Sequence, residues 1–338
     1  MNQMKQSTIS KKFRKESINK QSIVLNYCMA LAIAAIYSGQ AHAENMPHSN
    51  KLLLTGGVSQ VEGAAGGGLT PWAVIGGYGT NNEIGGSVHY TYVDTDDYNL
   101  DTYGFTVGLF DRVEFSVAEQ RFNVNNLRDK VEAAFPGAIG RNNLTQTIVG
   151  VKVRVAGEAV LDADTWMPQI AVGLQYKEND DTDFIKSAVV GAKSDHGTDI
   201  YVSATKLLLA QNLLLNGTLR FTKANQFGLL GFGGDKHDSY QPMLEVSAAY
   251  LLRKDLAIGA EYRMKPDNLR SPLNAALGPN AIDLKEDDAF DIFIAYAPTK
   301  NISLTAAYVN LGNIATVKPV GADFGNQDGV YLSAQIGF

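Results

Sequence analysis

Apolar side chains recur at every second position at the carboxy terminus, at Leu332, Ala334, Ile336 and Phe338, with polar or small residues between them. A period of two is the period of a β-strand, whose successive side chains point to opposite faces. A strand that is apolar on one face and ends in an aromatic residue is typical of bacterial outer-membrane β-barrels. We therefore interpret these four residues as an assembly signal for the barrel-assembly machinery.

The same alternation recurs along the chain in segments of about ten residues, which turn-forming or polar clusters separate. We predict an all-β fold, a transmembrane antiparallel up-and-down β-barrel of about fourteen strands, within one domain of residues 44–338. Twelve strands, without the first hairpin, is the alternative. The predicted strands are 51–60, 69–80, 83–93, 100–110, 112–122, 145–156, 166–177, 198–208, 212–223, 240–252, 255–265, 288–298, 301–311 and 329–338.

The connections between these strands alternate in length. Long connections fall near 123–144, 178–197, 224–239, 266–287 and 312–328, and the connections between them are short. Outer-membrane barrels have short periplasmic turns and longer outward loops. The alternation therefore predicts that both chain termini lie on the periplasmic side.

Charged side chains must point away from lipid, because an Arg or Lys that faces the bilayer midplane costs roughly 2–4 kcal/mol. Counting by two then places one set of polar residues inside the barrel. Its charged members and its histidine are our pore-lining candidates: Glu83, His89, Arg112, Glu114, Lys152, Arg154, Lys177, Arg220, Glu245, Glu261, Arg263 and Asp291. Gln120, Gln175 and Asn216 share the same face.

Two interpretations of this interior stay open. In the first, the charges form cross-strand ion pairs that fill a narrow lumen. In the second, they line a water-filled pore and select polar solutes by their electric field. Small barrels are filled with side chains and large porins are open, and a barrel of twelve or fourteen strands lies between these types.

Two outward loops carry helix signals. In 123–144, apolar residues at helical spacing precede Pro136-Gly137; in 266–287, Ser271-Pro272 and Gly278-Pro279 are expected to bound a short helix. Such helices would either fold over the mouth as lids or pack on the rim.

The amino terminus is typical of an exported protein. A basic region is followed by an apolar run from Ile23 to Tyr37 and by Ala41-His42-Ala43, a cleavage motif of small residues. We predict a signal peptide of residues 1–43, cleaved after Ala43, and a location in the outer membrane of a Gram-negative cell. Cys28 is the only cysteine and lies in this leader, so we expect no thiolate site in the mature chain.

The chain is acidic, with a formal net charge of −6, and removal of the basic leader makes it more so. Such a chain is a poor nucleic-acid binder. We expect outer-membrane lipid and lipopolysaccharide as partners, and no cofactor or metal. The acidic run 178–183 offers oxygen ligands to calcium, but its spacing departs from an EF-hand, and a solvated loop is the simpler interpretation.

Three stretches carry a family resemblance: KLLLTGGV at 51–58 with GAAGGGLTPWAVIGGYGT at 63–80, KPDNL at 265–269, and NISLTAAYVNLGNI at 301–314. They resemble a proteobacterial outer-membrane family known only as a domain of unknown function. The resemblance implies a secreted barrel over most of the mature chain and supplies no catalytic or ligand residues. The glycines near 56–68 lack the Gly-Lys-Ser/Thr of a phosphate-binding loop, so we interpret them as a hairpin, with the lumen as one place for it.

Enzymes exist on such barrels, and a surface hydrolase needs a histidine beside a carboxylate. Ser194-Asp195-His196 and the stretch around His237 have this composition on outward loops. Solvated polar loops have it too, and we expect His89, inside the barrel, to be a hydrogen-bonded ring rather than a base. The sequence therefore favours a protein that is not an enzyme.

The function we favour is a porin-like channel for small polar solutes. One alternative is a closed structural or surface-interaction barrel without transport. A less favoured alternative is a surface hydrolase.

Overall fold

The computed structural model describes residue 54 and residues 58–134, 136, 141–159 and 166–338. The predicted signal peptide and its cleavage after Ala43 lie outside these residues, as does most of 51–57.

Twelve antiparallel strands close into one barrel. In chain order the strands of the structure are β1 (Ile84–Thr95), β2 (Asn99–Leu109), β3 (Val113–Asn123), β4 (Asn143–Ala156), β5 (Gln169–Asn179), β6 (His196–Leu208), β7 (Leu213–Thr222), β8 (Gln241–Arg253), β9 (Leu256–Arg263), β10 (Ile282–Asp283), β11 (Ala289–Tyr296), β12 (Ile302–Asn310), β13 (Ala315–Val317), β14 (Ala322–Phe324) and β15 (Asp328–Gly337). β10, β13 and β14 form a separate small sheet, and the other strands form the wall. The ring closes where β15 pairs with β1, so every wall strand has two neighbours. The predicted fold class is confirmed.

Among the described residues the wall has twelve strands, as in the alternative prediction, rather than fourteen. The predicted strand 69–80 is wrong, and the described part of 51–60 contains only an isolated bridge at Ser59. Every residue from 58 to 79 is buried, whereas a wall strand alternates between buried and exposed residues. These residues, which we call the internal segment, lie inside the barrel.

The outward faces of the wall strands form an apolar belt. Exposed large apolar side chains on these faces include Val88, Val149, Leu174, Val202, Leu219, Val246, Ile258, Ile292, Leu304 and Leu332. They alternate with buried inward-facing neighbours along each strand. An apolar surface of this extent is suited to hydrocarbon and not to water. The cylinder is therefore a transmembrane barrel with lipid around it.

No helix within the described part of the chain is long and apolar enough to cross a membrane.

The two ends of the barrel differ as predicted. Short turns at 110–112, 209–212, 254–255 and 297–301 lie at one end, which is the periplasmic end by this criterion. The carboxy terminus lies there as well, where the Phe338 N–H donates to the Gly86 carbonyl at 2.9 Å. The start of β1 and the end of β15 thus lie at the same end as the short turns, and the periplasmic position of that end stays a prediction.

The long outer loops pack on one another through an apolar cluster, which we call the outer cap. Its helices are α1 (Asn125–Ala134), α2 (Thr182–Ile185) and α3 (Asn274–Leu277), and the first and last of these confirm the helices predicted in 123–144 and 266–287. The apolar side chains of the cap are Val124, Leu127, Val131, Phe184, Val190, Leu230, Ile282, Leu284, Ile314 and Val317.

Replacing Leu219 by arginine tests the lipid belt. Leu219 faces outward in the middle of β7, so we expect L219R to lower the free energy of unfolding by about 2–4 kcal/mol. The matched control is L252R, at the periplasmic end of β8, where the cost should be about 1 kcal/mol or less. Denaturant unfolding of liposome-reconstituted protein measures both, and equal costs would contradict a membrane-spanning belt.

Candidate functional site

The internal segment folds into a compact loop inside the barrel. Its backbone bonds to itself: Val61 N–H donates to the Gly68 carbonyl at 2.9 Å, and Trp72 N–H donates to the Ala65 carbonyl at 3.1 Å. A Cβ atom at Gly67 would collide with the carboxylate of Glu261 on β9. Glycine at this position therefore lets the segment reach the wall.

Glu62 anchors the segment at the centre of an ionic cluster. Its fully buried carboxylate pairs with Lys177 of β5, with Arg263 of β9 at 2.9 Å and with Arg220 of β7 at 3.4 Å. A buried carboxylate is tolerated only when such partners replace its hydration. The three cations therefore fix the position of the segment.

The same cations also pair with acidic residues of neighbouring wall strands. Asp199 of β6 lies 2.8 Å from Lys177 and 3.3 Å from Arg220. Glu245 of β8 pairs with Arg220 and lies 3.4 Å from Arg263. These pairs link adjacent strands, so the charges alternate around the wall and do not face each other as two opposed charged sides.

A second anchor joins Lys152 of β4 and Glu114 of β3, which lie 3.1 Å apart. The Lys152 ammonium donates to the backbone carbonyls of Ala65 and Trp72 at 2.9 and 3.1 Å. The Glu114 carboxylate accepts from the Ala65 and Gly76 N–H groups at 3.1 and 2.7 Å. The wall thus pairs backbone groups of the segment, and the Ala65 carbonyl accepts from both Trp72 and Lys152.

Neutral contacts complete the attachment. Thr70 Oγ1 donates to Glu261 at 2.6 Å and lies 2.6 Å from the Ser247 hydroxyl of β8. The indole N–H of Trp72 donates to Ser247 at 2.9 Å, and the Pro71 carbonyl accepts from Thr218 at 2.8 Å. Side chains of β3 to β9 therefore hold the segment along most of its length.

The outer loop that carries Phe227 contacts the ionic cluster around Glu62 from the outward side of the barrel. The Phe227 carbonyl accepts from Lys177 at 3.0 Å, and the Phe227 ring lies 4.3 Å from the Arg263 guanidinium and 5.4 Å from the Lys265 ammonium. Glu286 accepts from the Gln226 N–H at 2.8 Å. Burial raises the pKa of Glu286 to about 8 and lowers the pKa of Lys265 to about 8. Lys177 thus contacts both the internal segment and the outer loop that carries Phe227.

The spaces that remain between segment and wall are small. One cavity of about 20 Å³ lies between Val58, Trp72 and Thr305, and one of about 30 Å³ lies between Leu69, Phe122 and Phe227. Each holds about one or two water molecules. Among the described residues, cavities of this size form no open passage through the barrel.

Most of the predicted inward residues are buried inside the barrel, namely His89, Glu114, Lys152, Arg154, Lys177, Arg220, Glu245, Glu261, Arg263 and Asp291. Two lie elsewhere: Arg112 is exposed in the turn between β2 and β3, and Glu83 is half-buried before β1, bonded to Thr80. Both positions lie just outside the wall strands, where counting by two no longer applies.

His89 is buried as expected, but the expected hydrogen bonds to its ring are not there. Within the described residues neither ring nitrogen has a partner. The ring fits against Gly104 of β2, where a Cβ would lie 2.7 Å from the histidine Cε1.

Sequence reasoning missed Glu62 and Asp199. Asp199 sits on the inward face of β6, two positions before buried Tyr201, and counting by two would have found it. Glu62 had no such signal, because its surroundings form no wall strand.

Within the described residues, neither His196 nor His237 forms the catalytic arrangement considered from sequence. In a Ser-His-Asp triad the two ring nitrogens serve different partners. Here the same ring nitrogen of His196, Nδ1, lies 2.8 Å from Asp195 Oδ1 and 3.4 Å from Ser194 Oγ. The ring is also exposed. His237 Nδ1 lies 3.3 Å from the Asp267 carbonyl oxygen. Within the described residues no group of three or more His, Cys, Asp or Glu side chains could hold a metal ion.

Replacing Glu62 by glutamine tests the central anchor. The change leaves three buried cations with less negative charge, so we expect the free energy of unfolding to fall by about 3–5 kcal/mol. The control is E178Q, on the exposed face of β5, which should change stability by about 0.5 kcal/mol or less. Fluorescence of Trp72, which lies in the segment, reports the transition; similar losses in both variants would refute the anchor.

The chain is similar to a known protein family. The family described as "Protein of unknown function (DUF3034)" matches residues 55–335. Among curated proteins none matches the chain.

Similar solved structures are barrels of low sequence identity. The KdgM porin has 11% identity and a TM-score of 0.42, over 75% of this chain and 99% of that one. The NanC porin has 9% identity and a TM-score of 0.44, over 74% and 98%. The outer membrane protein Omp33 of Acinetobacter baumannii has 9% identity and a TM-score of 0.39, over 77% and 100%. Scores of this size carry no argument about what this chain does. The resemblance read from the sequence is confirmed by the family match: the protein is an outer-membrane β-barrel that belongs to the DUF3034 family.

Proposed function

We propose that this protein is a porin-like channel for small polar solutes and that the internal segment closes it in the present conformation. The observation that carries the proposal is the chemistry of the attachment: Glu62, the segment backbone and Thr70 are held by charged and polar side chains of the wall. Solutes would pass when the segment leaves this site.

A polar attachment is reversible in a way that an apolar core is not. A protein hydrogen bond contributes only about 0.5–1.5 kcal/mol net, because water replaces it when it breaks. Buried ion pairs add little over well-packed apolar residues of similar volume. A barrel filled only for stability would be expected to use apolar side chains at these positions.

The connection between the segment and β1 provides a route for withdrawal. It joins β1 through Asn81 and Asn82, which are exposed at the periplasmic end. Rotation about this connection would withdraw the segment towards the periplasm. Lys177, Arg220, Glu245 and Glu261 would then face water, and charges of both signs would line the passage.

A closed structural barrel is the second candidate, and one observation favours it. Apolar contacts of the segment flank its polar centre: Trp72 packs near Leu207 and Leu214 towards the periplasm, and Leu69 packs near Phe227 towards the outside. If these contacts dominate, the segment never leaves and no solute passes.

A disulfide between residues 70 and 247 separates the two candidates. The Thr70 and Ser247 hydroxyls lie 2.6 Å apart, so thiols in the variant T70C/S247C would be within bonding reach. We expect the reduced variant to conduct ions in planar bilayers under applied voltage, and the oxidised variant to stay silent. The two single-cysteine variants control for oxidation itself. Silence of both the reduced variant and the unmodified protein would refute the channel and favour the closed barrel.

We also propose that the leader is removed after Ala43 and that the last strand, with Leu332 and Ile336 facing outward, directs assembly. Intact-mass analysis of protein purified from outer membranes should give a chain that begins at Glu44. A mass that retains residues 1–43 would contradict the cleavage.

A further inference from the structure

Charged and uncharged residues occupy different sides of the barrel interior. All inward-facing Asp, Glu, Lys and Arg side chains of the wall strands lie on β3 to β9 and on β11. On the adjoining strands β12, β15, β1 and β2, the inward polar residues are hydroxyls, one amide and one imidazole. We call these four strands the neutral arc.

The polar side chains of the neutral arc are direct neighbours. Gln335 pairs in register with His89, and Ser333 pairs with Thr91, which in turn pairs with Thr102. Thr305 of β12 pairs with Ser333. Side chains on one face at paired positions are about 5 Å apart, so these six residues form one continuous hydrogen-bonding surface.

Much of this surface has unused hydrogen-bonding capacity. Both ring nitrogens of His89, both polar atoms of the Gln335 amide and the Thr102 hydroxyl are buried, and none has a partner within the described residues. A buried polar atom without a partner costs about 1–3 kcal/mol. Apolar residues would avoid this cost, so stability does not explain the polar groups.

The internal segment does not use them. Its backbone and its Trp72 indole form hydrogen bonds with side chains on the other side of the barrel, such as those of Glu114, Lys152, Ser247, Glu261 and Arg263. The cavity beside Thr305 shows that segment and arc are not tightly packed there.

We propose that the neutral arc is the solute-binding site of the channel and that it selects neutral polyhydroxylated solutes, such as sugars and polyols. This inference rests on the proposed channel function, because the site becomes reachable when the internal segment withdraws. Imidazole, amide and hydroxyl groups each donate and accept, as sugar hydroxyls do. A charged solute would instead find its counter-charges on the opposite side.

Sugar block of ionic current tests the site. In planar bilayers with potassium chloride, maltotriose should reduce the current at concentrations at which glucuronate and glucosamine do not. H89L and Q335L should each raise the half-blocking maltotriose concentration about fivefold, as expected for one lost hydrogen bond. H89Q keeps a donor and an acceptor and should stay within about twofold of the unmodified protein.

The control V88L changes the lipid-facing neighbour of His89 and should leave the block unchanged. Heat-modifiable migration on gels verifies that each variant is folded. If H89L does not fold, Q335L alone provides the test. A silent unmodified protein would overturn the channel and this site together. A conducting channel that glucuronate or glucosamine blocks better, or one that H89L and Q335L leave unchanged, would overturn the site and leave the channel standing.

Discussion

The constraint on which this structure depends is that hydrocarbon offers no hydrogen bonds to a polypeptide backbone. An open sheet would leave the outer edges of β1 and β15 unpaired in lipid, so the chain must bring its first and last wall strands together. Closure fixes the alternation of outward apolar and inward polar residues. It also encloses an interior into which Lys152, Lys177 and Arg220 must point. The polar contacts inside the barrel follow from the need to pair these charged groups.

The internal segment answers that requirement with polar contacts at its centre, while its apolar side chains, such as Leu69 and Trp72, pack into the buried apolar core. Glu62 supplies a carboxylate where three cations converge, and the backbone carbonyls of Ala65 and Trp72 supply acceptors to Lys152. The dependence is mutual, since the segment has no regular structure of its own and takes its shape from the wall. Ionic and backbone contacts of this kind specify one position, whereas apolar packing alone would tolerate sliding. The wall therefore determines where the segment sits more than how stable the barrel is.

The sequence was sufficient for the wall because lipid imposes a strict period of two on each strand. It predicted the fold class, the alternation of short and long connections and the inward position of residues such as Arg220. It failed for 69–80, where Leu69, Trp72, Val74 and glycines look like a strand although no lipid-facing side exists. Burial of the segment from all directions removes the alternation by which strands are recognised. The contacts of Glu62 are formed with strands more than a hundred residues away, and no local pattern encodes them.

The interior is divided into a charged side and the neutral arc. This division explains how a channel can hold an internal segment that closes it. The charged side binds the segment through Glu114, Lys152 and Glu261, and those groups are occupied while the barrel is closed. On the neutral side the segment makes packing contacts, as between Gly76 and Thr106, but within the described residues the polar side-chain atoms of His89 and Gln335 keep their hydrogen-bonding capacity. Closure and recognition then do not compete for the same residues. A barrel whose interior contributes only to stability would not require separate charged and neutral sides. A uniformly apolar interior would stabilise such a barrel more.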